Sequence, residues 1–366
     1  MKSRGTLEVV RSTIRALTIW ALSGFSVFVL CENESVAAPS INQTDISISK
    51  DGENIAFSAY NFPENGKNAI IITGAKDDSI TLIESTDRFL VHDPKFSPHI
   101  DSEILFTENH LSKEVGVGVD VVRYNLETKE KEIIETGIFH DIELYRSYPG
   151  YLSNGEGVFF ATSTVNRFNG KFRFGGGFLS IKHFNQTKTI LFPNSFPRNA
   201  FTHINEIVSL EDDIFFSANV GNSRAANYID GFEKREIGHF LKYTINSKFA
   251  KMVPMDDNVI SISAMCRKSD IEILLIANIK KSEKNIEYDY PQKKGIFNTE
   301  TGVFEFSDYL DKNEYIRRMD CANIDGILRV AYIGTRKNEG EFISIKENGL
   351  EIKQIKERDI SGFFKK

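Results

Sequence analysis

Cysteine is scarce in this sequence, with three residues in 366, and no two of them are closely spaced. Structural zinc sites are commonly built from close cysteine pairs, so this kind of metal motif is excluded. A nucleophile elbow is also absent. The glycine run Gly175-Gly176-Gly177 does not precede a helical pattern, so it does not indicate a phosphate-binding loop.

Basic clusters and long helical repeats are missing as well. The formal net charge is -6 and no block of Lys and Arg stands out, which argues against a nucleic-acid partner. No long helical periodicity occurs beyond residue 40, and short β-rich runs recur between turn residues instead. Hydrophobic residues make up 41% of the chain, and 29 of its residues are phenylalanine, so the composition favours a folded core over disorder.

The N-terminal segment is typical of a secretory signal peptide. Its first fifteen residues include four basic ones: Lys2, Arg4, Arg11 and Arg15. The uncharged apolar run 16–30 follows, which is short for a membrane-spanning helix of about 20 residues. Small residues at 35–37 predict cleavage after Ala37. An uncleaved membrane anchor is one alternative. A lipoprotein modified at Cys31 is another, although Leu30 is bulky for that signal.

A short apolar strand after a polar turn recurs six times, with a spacing of about fifty residues. The copies begin at Ile55, Ile104, Val158, Ile214, Ile273 and Leu328. Each copy is followed by a strand, a short polar turn and another strand. Four strands per repeat are typical of a propeller blade, because stacking against the next blade buries faces that one sheet leaves exposed. We predict an all-β fold, a β-propeller of six four-stranded blades. Counts of five or seven blades are the alternatives.

The predicted organisation is a cleaved signal peptide at 1–37 and a single propeller domain at 38–366. The approximate blades are 41–86, 87–139, 140–196, 197–257, 258–310 and 311–360. The closure of the ring is left open: residues 360–366 could pack as a tail, or residues near Ile46 could complete the last blade.

The first two blades carry a recognisable repeat. Blade two contains His92-Asp93-Pro94-Lys95-Phe96-Ser97-Pro98, and blade one contains a related run at 48–57. These residues resemble the P-x-F-S-P-D-G-x-x-I-A-F repeat of TolB-like, WD-like propellers, which also occurs in prolyl-oligopeptidase-type peptidases. The match is clear in blades one and two, partial in blade three and faint afterwards. The resemblance implies the fold, but little about function, since propellers host unrelated activities.

Long loops between the second and third strands are predicted to form a binding rim on one face. They span 108–118, 163–177, 219–238 and 280–294, and long loops in compact domains are commonly functional. Two of them interleave cations and aromatic rings, as interface anchors do. The predicted rim residues are Arg167, Phe168, Lys171, Arg173, Arg224, Tyr228 and Arg235. The alternative is that they are ordinary residues of extended hairpins.

Two further sites are predicted from residue type and position. His92, His140 and His203 fall near the long-loop end of the channel and could hold a divalent metal, the one cofactor considered. Histidines satisfied singly by hydrogen bonds are the alternative. Cys266 and Cys321 occupy matching positions in adjacent blades, which predicts a disulfide in an oxidising compartment. Two buried free thiols are the alternative.

The favoured function is therefore an exported propeller, periplasmic or secreted, that binds a protein or peptide through its long-loop face without catalysis. The missing motifs favour this interpretation only weakly, because propeller enzymes scatter their catalytic residues over several blades. The alternative is an extracytoplasmic enzyme with a site at the channel mouth, with or without assistance from a metal. It would resemble either a polysaccharide lyase or hydrolase, or an esterase or lactonase. A passive envelope scaffold is a third possibility. Membrane association is expected only through an uncleaved anchor.

Overall fold

The computed structural model describes residues 40–364 apart from a set of internal gaps. The gaps are 62–66, 87–88, 111–117, 140–141, 169–170, 195–200, 221–223, 234–237, 281–289, 312 and 338. The predicted signal peptide lies outside the described residues. Within the described part of the chain, no helix is long and apolar enough to cross a membrane.

Six sheets follow one another along the chain, each built from consecutive strands. The first contains β1 (Ser40–Ile48), β2 (Asn54–Asn61), β3 (Lys67–Gly74) and β4 (Ile80–Glu84). The second contains β5 (Phe89–Phe96), β6 (Glu103–His110), β7 (Val119–Asn125) and β8 (Lys131–Glu135). The third contains a short extra strand, β9 (Ile138–Phe139), with β10 (Ile142–Tyr151), β11 (Gly157–Phe168), β12 (Lys171–His183) and β13 (Ile190–Phe192).

The last three sheets repeat this arrangement. The fourth contains β14 (His203–Leu210), β15 (Asp213–Asn219), β16 (Ile229–Asp230), β17 (His239–Thr244) and β18 (Ala250–Met252), with β16 parallel to β18. The fifth contains β19 (Val259–Arg267), β20 (Glu272–Ile279), β21 (Gln292–Asn298) and β22 (Phe304–Tyr309). The sixth contains β23 (Glu314–Ile324), β24 (Ile327–Arg336), β25 (Gly340–Glu347) and β26 (Leu350–Lys356). Short 3-10 turns at Arg224–Tyr228 and Glu357–Asp359 and the helix α1 (Ile360–Phe363) complete the described elements.

The first long strand of each sheet lies at the centre of a closed ring. Contacts join β1 to β5, β5 to β10, β10 to β14, β14 to β19, β19 to β23 and β23 back to β1. The predicted six-bladed propeller is therefore confirmed. Among the described strands, each sheet is continuous in sequence, and no sheet takes a strand from the other end of the chain.

The core consists of seams between neighbouring blades. In β2, Ile55 and Phe57 face the seam with blade six, whereas Ala56 faces the seam with blade two. This alternation follows from the two-residue period of a strand, and it explains why the second strands are apolar on both faces. Each blade buries its two faces against two different neighbours.

The seam between blades six and one closes the ring, and Arg329 holds its polar edge. Its guanidinium is 3% exposed, pairs with Glu347 at 2.5 Å and donates to the Gly52 carbonyl. Gly52 has a φ of +70°, and a Cβ there would lie 2.3 Å from Ile324 Cδ1, so the approach requires glycine. The Asp51-Gly52 turn found in the sequence thus serves the closure.

The C-terminal residues pack as a tail against the same seam. Ile360 is fully buried with Ile46, Phe57 and Ile343, and the Phe363 ring lies 6.3 Å from that of Phe57 in an edge-on arrangement. Of the two closures that the sequence left open, the structure therefore has the tail. Ile46 belongs to the inner strand of blade one and pairs with Phe57.

The tail provides a test of ring closure. Ile360→Ala should lower the free energy of unfolding by about 2–4 kcal/mol, because it leaves a cavity between the first and last blades. Leu350→Ala, at a side chain 76% exposed on the neighbouring strand β26, should change it by less than about 0.5 kcal/mol. Urea denaturation of both variants measures the difference. Equal effects would contradict a closing role for the tail.

Candidate functional site

All six inner strands are irregular where they pair with their neighbours. The register shifts between Ile41 and Ile46 in β1, His92 and Lys95 in β5, Ser147 and Gly150 in β10, Ile204 and Glu206 in β14, Ile262 and Ala264 in β19, and Ile316 and Arg318 in β23. Bulges of this kind redirect a side chain and are common next to active sites. Here they occur in every blade around the axis.

Two of these bulges hold a non-glycine residue in the left-handed region. Asp93 has a φ of 51° and Tyr148 a φ of 54°, and each precedes a proline. A bulky residue such as tyrosine rarely adopts this conformation, and the surrounding structure must compensate for its cost. The sequence pairs Asp93-Pro94 and Tyr148-Pro149 therefore mark two positions where the backbone is held in an unusual geometry beside the axis.

Ionisable side chains from five inner strands meet at the centre of the ring. This channel cluster consists of Asp45, Asp93, Lys95, Tyr148, Glu206, Arg318 and Asp320, whose charges act on one another. Arg318 Nη2 of blade six donates to the Tyr148 hydroxyl of blade three at 2.7 Å, a bond between opposite blades. Such a bond is possible only across the axis, so the cluster occupies the channel.

Two ion pairs organise the cluster. Lys95 Nζ lies 2.8 Å from Asp320 Oδ1, and Arg318 Nη1 lies 2.7 Å from Glu206 Oε1. The Arg318 guanidinium also lies over the Tyr148 ring, 4.8 Å from its centroid. The cluster thus combines four carboxyl groups with two cations.

The Ser47 hydroxyl and several backbone groups fix these pairs in place. Asp320 Oδ2 accepts from the Ser47 hydroxyl at 2.9 Å and from the Ile48 amide at 3.0 Å. Arg318 donates to the Ser263 carbonyl at 3.4 Å, and the Met265 amide donates to Glu206. The remaining inner strand, β19 of blade five, thus supports the cluster through its backbone. All six blades contribute to one site.

Burial sets the protonation of the carboxyl groups. It raises the pKa of Glu206 to about 7, although Arg318 and Lys95 oppose the change. Burial likewise raises the pKa of Asp45 well above its usual range, against the attraction of Lys95. The Lys95 side chain is still 28% exposed and that of Arg318 12%, so solvent reaches the cluster. A carboxyl group that titrates near neutrality in an accessible site suits acid–base chemistry.

The tyrosines around the cluster are held as hydrogen-bond donors. Burial raises the pKa of Tyr148 to about 12 despite Arg318 beside it, and it also raises the pKa of Tyr60 and Tyr145, with Asp93 adding to both. Their hydroxyl groups stay protonated over the physiological range. The channel therefore presents aromatic faces and hydroxyl donors beside its carboxyl groups, a lining suited to a ligand rich in hydroxyl groups.

The predicted histidines lie on different strands. His92 is buried in β5, where its Nδ1 lies 3.2 Å from Asn68 Nδ2 and 3.4 Å from the Tyr60 hydroxyl. His203 begins β14 and faces Arg318. Burial lowers the pKa of each to about 4, so both are neutral at pH 7. His140 lies outside the described residues.

The described donor groups of the channel do not form a metal site. Among the described residues no three His, Cys, Asp or Glu side chains are grouped to hold one. The His92 ring is engaged by Asn68, and Glu206 is paired with Arg318. The predicted three-histidine metal site stays a prediction, and no chemical step is assigned to a metal here.

The predicted rim residues remain largely outside the described side chains. Arg224 is exposed and Tyr228 is half-buried in the 3-10 turn of blade four, with the Tyr228 ring 6.4 Å from that of Phe249. For Arg167, Phe168, Lys171 and Arg173 only the backbone in β11 and β12 is described, and Arg235 lies outside the described residues. The binding rim stays a prediction. Cys266 and Cys321 form the predicted disulfide, with their Cα atoms 5.8 Å apart.

Sequence reasoning missed the channel cluster itself. Asp93 and Lys95 lie inside the quoted repeat of blade two, and Tyr148 precedes the proline of the partial repeat in blade three. The signal available in the sequence was that these polar residues lie within the inner strands, beside the prolines of the repeat. Glu206 and Arg318 lie in blades where the repeat is faint, so nothing local marked them.

Comparisons with known proteins establish the fold alone. No protein family matches the sequence, and no curated protein matches it either. Similar solved structures include an oligogalacturonate lyase in complex with manganese, 11% identical with a TM-score of 0.53, covering 88% of this chain and 82% of that one. AofleA from Arthrobotrys oligospora is 8% identical with a TM-score of 0.51, covering 88% and 91%. The acylaminoacyl peptidase of Pyrococcus horikoshii is 12% identical with a TM-score of 0.50, covering 87% of this chain and 46% of that one.

The raised pKa of Glu206 predicts a pH-dependent stability. The folded state holds the Glu206 proton more tightly than the unfolded chain does, so its contribution is complete below about pH 4.5 and is lost as the pH rises through about 7. Glu206→Gln cannot ionise. As the pH rises over this range, the free energy of unfolding of the variant should therefore increase relative to that of the wild type, by up to about 3 kcal/mol.

His203 should give the opposite pH dependence of the free energy of unfolding, and so serves as a comparison. Its lowered pKa contributes stability above about pH 6.5 that is lost as the pH falls through about 4. His203→Gln should therefore lose stability against the wild type as the pH rises. Urea denaturation at intervals from pH 4 to 8 measures both differences. A Glu206→Gln difference that is constant with pH would contradict the assignment.

Proposed function

We propose that this propeller is an enzyme that acts on a carbohydrate in its channel, with Glu206 as the group that transfers a proton. The observation that carries the proposal is the convergence of ionisable groups from five inner strands around a carboxyl group whose pKa is about 7. A group that titrates near the working pH can both donate and accept a proton efficiently. The channel tyrosines and carboxyl groups provide hydrogen bonds for sugar hydroxyl groups.

The engagement of both cations favours a substrate without negative charge. Both cations of the cluster, Lys95 and Arg318, already contact carboxylates. A uronate or another acidic sugar would have to compete with Asp320 and Glu206 for these two cations, which disfavours it. The similarity in fold to an oligogalacturonate lyase therefore does not extend to its substrate. A neutral polysaccharide or oligosaccharide agrees with the cluster better.

Each residue has a distinct role in this proposal. Glu206, in its protonated form, donates its proton to the glycosidic oxygen as the bond to the leaving sugar breaks. Water then bonds to the anomeric carbon and returns a proton to Glu206, so that the net reaction is hydrolysis. Arg318 holds the Glu206 carboxyl group in position through its 2.7 Å contact, and Tyr148 in turn orients Arg318. Asp45, whose pKa burial raises well above its usual range, lies in the same cluster and is available to hydrogen-bond the substrate.

The setting of the activity is outside the cytoplasm in this proposal. The Cys266–Cys321 disulfide is typical of oxidising compartments, and the predicted signal peptide agrees with export. We place the chain with the TolB-like, WD-like propellers on the repeat of blades one and two. Binding of a protein or peptide through the long-loop face is the alternative, and it would leave the channel cluster without a chemical role.

A glycan screen tests the proposal directly. The purified protein is incubated with neutral oligosaccharides and, separately, with oligogalacturonate, and release of new sugar ends is followed. We expect cleavage of a neutral substrate and none of oligogalacturonate. The kcat/KM value should fall above about pH 7 as Glu206 ionises.

Two variants decide the role of Glu206. Glu206→Gln should lower kcat/KM by roughly 100-fold or more, because the transferable proton is lost. Glu305→Gln, at an exposed carboxylate on the outer strand β22, should leave activity unchanged. Full activity of Glu206→Gln would overturn the assignment. Inactivity of the wild type on every glycan would favour the binding alternative.

A further inference from the structure

The disulfide joins the two inner strands that support the centre of the channel cluster. Cys266 lies in β19 of blade five and Cys321 in β23 of blade six, 55 residues apart in sequence. Cys266 is buried, whereas Cys321 is partly exposed. The bond therefore crosses a blade seam close to the axis, in a place that a small reductant can reach.

The residues directly before the two cysteines hold the two ion pairs. Met265 precedes Cys266, and its amide donates to the Glu206 carboxyl group. Asp320 precedes Cys321 and is paired with Lys95 at 2.8 Å. Three residues before Cys321, Arg318 contacts both Glu206 and the Ser263 carbonyl of β19. One covalent bond thus fixes the spacing between the donors on β19 and the charged groups on β23.

We propose that the Cys266–Cys321 disulfide is a redox-dependent positioning element of the channel site, which assembles the contacts of Glu206 only in the oxidised protein. A dithiol can reduce it: the S–S bond breaks, each sulfur receives one electron and one proton, and the dithiol becomes a disulfide. The seam then loses its covalent link, and β19 and β23 can separate by small shifts. The Met265 amide would be withdrawn from Glu206.

The other polar contacts of this seam lie on either side of the disulfide, and Asn323 Nδ2 donates to the Lys268 carbonyl at 3.3 Å on the side away from Arg318. Gln292 donates to the Ile316 carbonyl at 2.8 Å and accepts from the Ile316 amide at 2.7 Å, at the opposite end of β23 from Cys321. Between Ile316 and Cys321, Arg318 is the described side chain that bridges to β19. The disulfide consequently controls the segment nearest to Glu206, while Gln292 and Asn323 keep the blades together after reduction.

This inference deepens the proposed function, on which it rests only where it predicts an effect on turnover. Its test therefore measures the site in the absence of substrate. The Glu206 carboxyl group is titrated by carbon NMR in the oxidised protein and after reduction, with Glu206→Gln used for assignment. Withdrawal of the Met265 amide, which stabilises the ionised form, should raise the pKa of Glu206 by about half a unit or more. Exchange of the Met265 amide hydrogen should accelerate at least about tenfold.

The double variant Cys266→Ser with Cys321→Ser should reproduce the reduced state, and reduction of the wild type covers the case in which it folds poorly. Arg329→Ala is the matched control: it weakens the seam between blades six and one but touches no residue of the channel cluster. We expect it to lower stability and leave the Glu206 titration unchanged. A Glu206 pKa that does not rise on reduction, or that shifts equally in Arg329→Ala, would overturn the proposal. Glycan turnover is a separate readout, so a lack of activity would reject the proposed function without affecting this result.

Discussion

A four-stranded sheet with apolar residues on both faces cannot bury either face by itself. In this chain the second strands show that constraint most clearly, since Ile55 and Phe57 face one neighbour while Ala56 faces another. Six copies satisfy it by closing into a ring, and the last seam is completed by the buried Ile360 of the C-terminal tail. The apolar seams, the short turns and the glycine at position 52 all follow from the need to stack blade against blade.

Ring closure also creates the polar centre. Inner strands that converge on an axis leave too little room for large apolar side chains on every blade, and here bulges direct polar groups inward instead. Burial then raises the pKa of Glu206 towards neutrality, and the ion pair with Arg318 keeps the group in place. The site owes its chemistry to its depth rather than to any single motif.

The polar contacts divide into those that close the ring and those that face the channel. Arg329 and Glu347 seal the outer edge of one seam, whereas Ser47 and Asp320 tie blades one and six at the axis. The disulfide belongs to the second group because its two strands lead directly to Met265 and Asp320. Stability and site geometry therefore share the same inner strands, and a change at a seam can be transmitted to Glu206 through the backbone.

The sequence by itself determined the repeat, the six blades and the pairing of Cys266 with Cys321, because period, turn residues and matching positions are local properties that recur along the chain. It also marked Asp93 and Tyr148 through the prolines that follow them, although their role was not recognised. The contacts of Glu206 with Arg318, and of Arg318 with Tyr148, were decided only by the tertiary structure. Tyr148 and Arg318 are 170 residues apart and lie on opposite blades, and only closure of the ring brings them within a hydrogen bond.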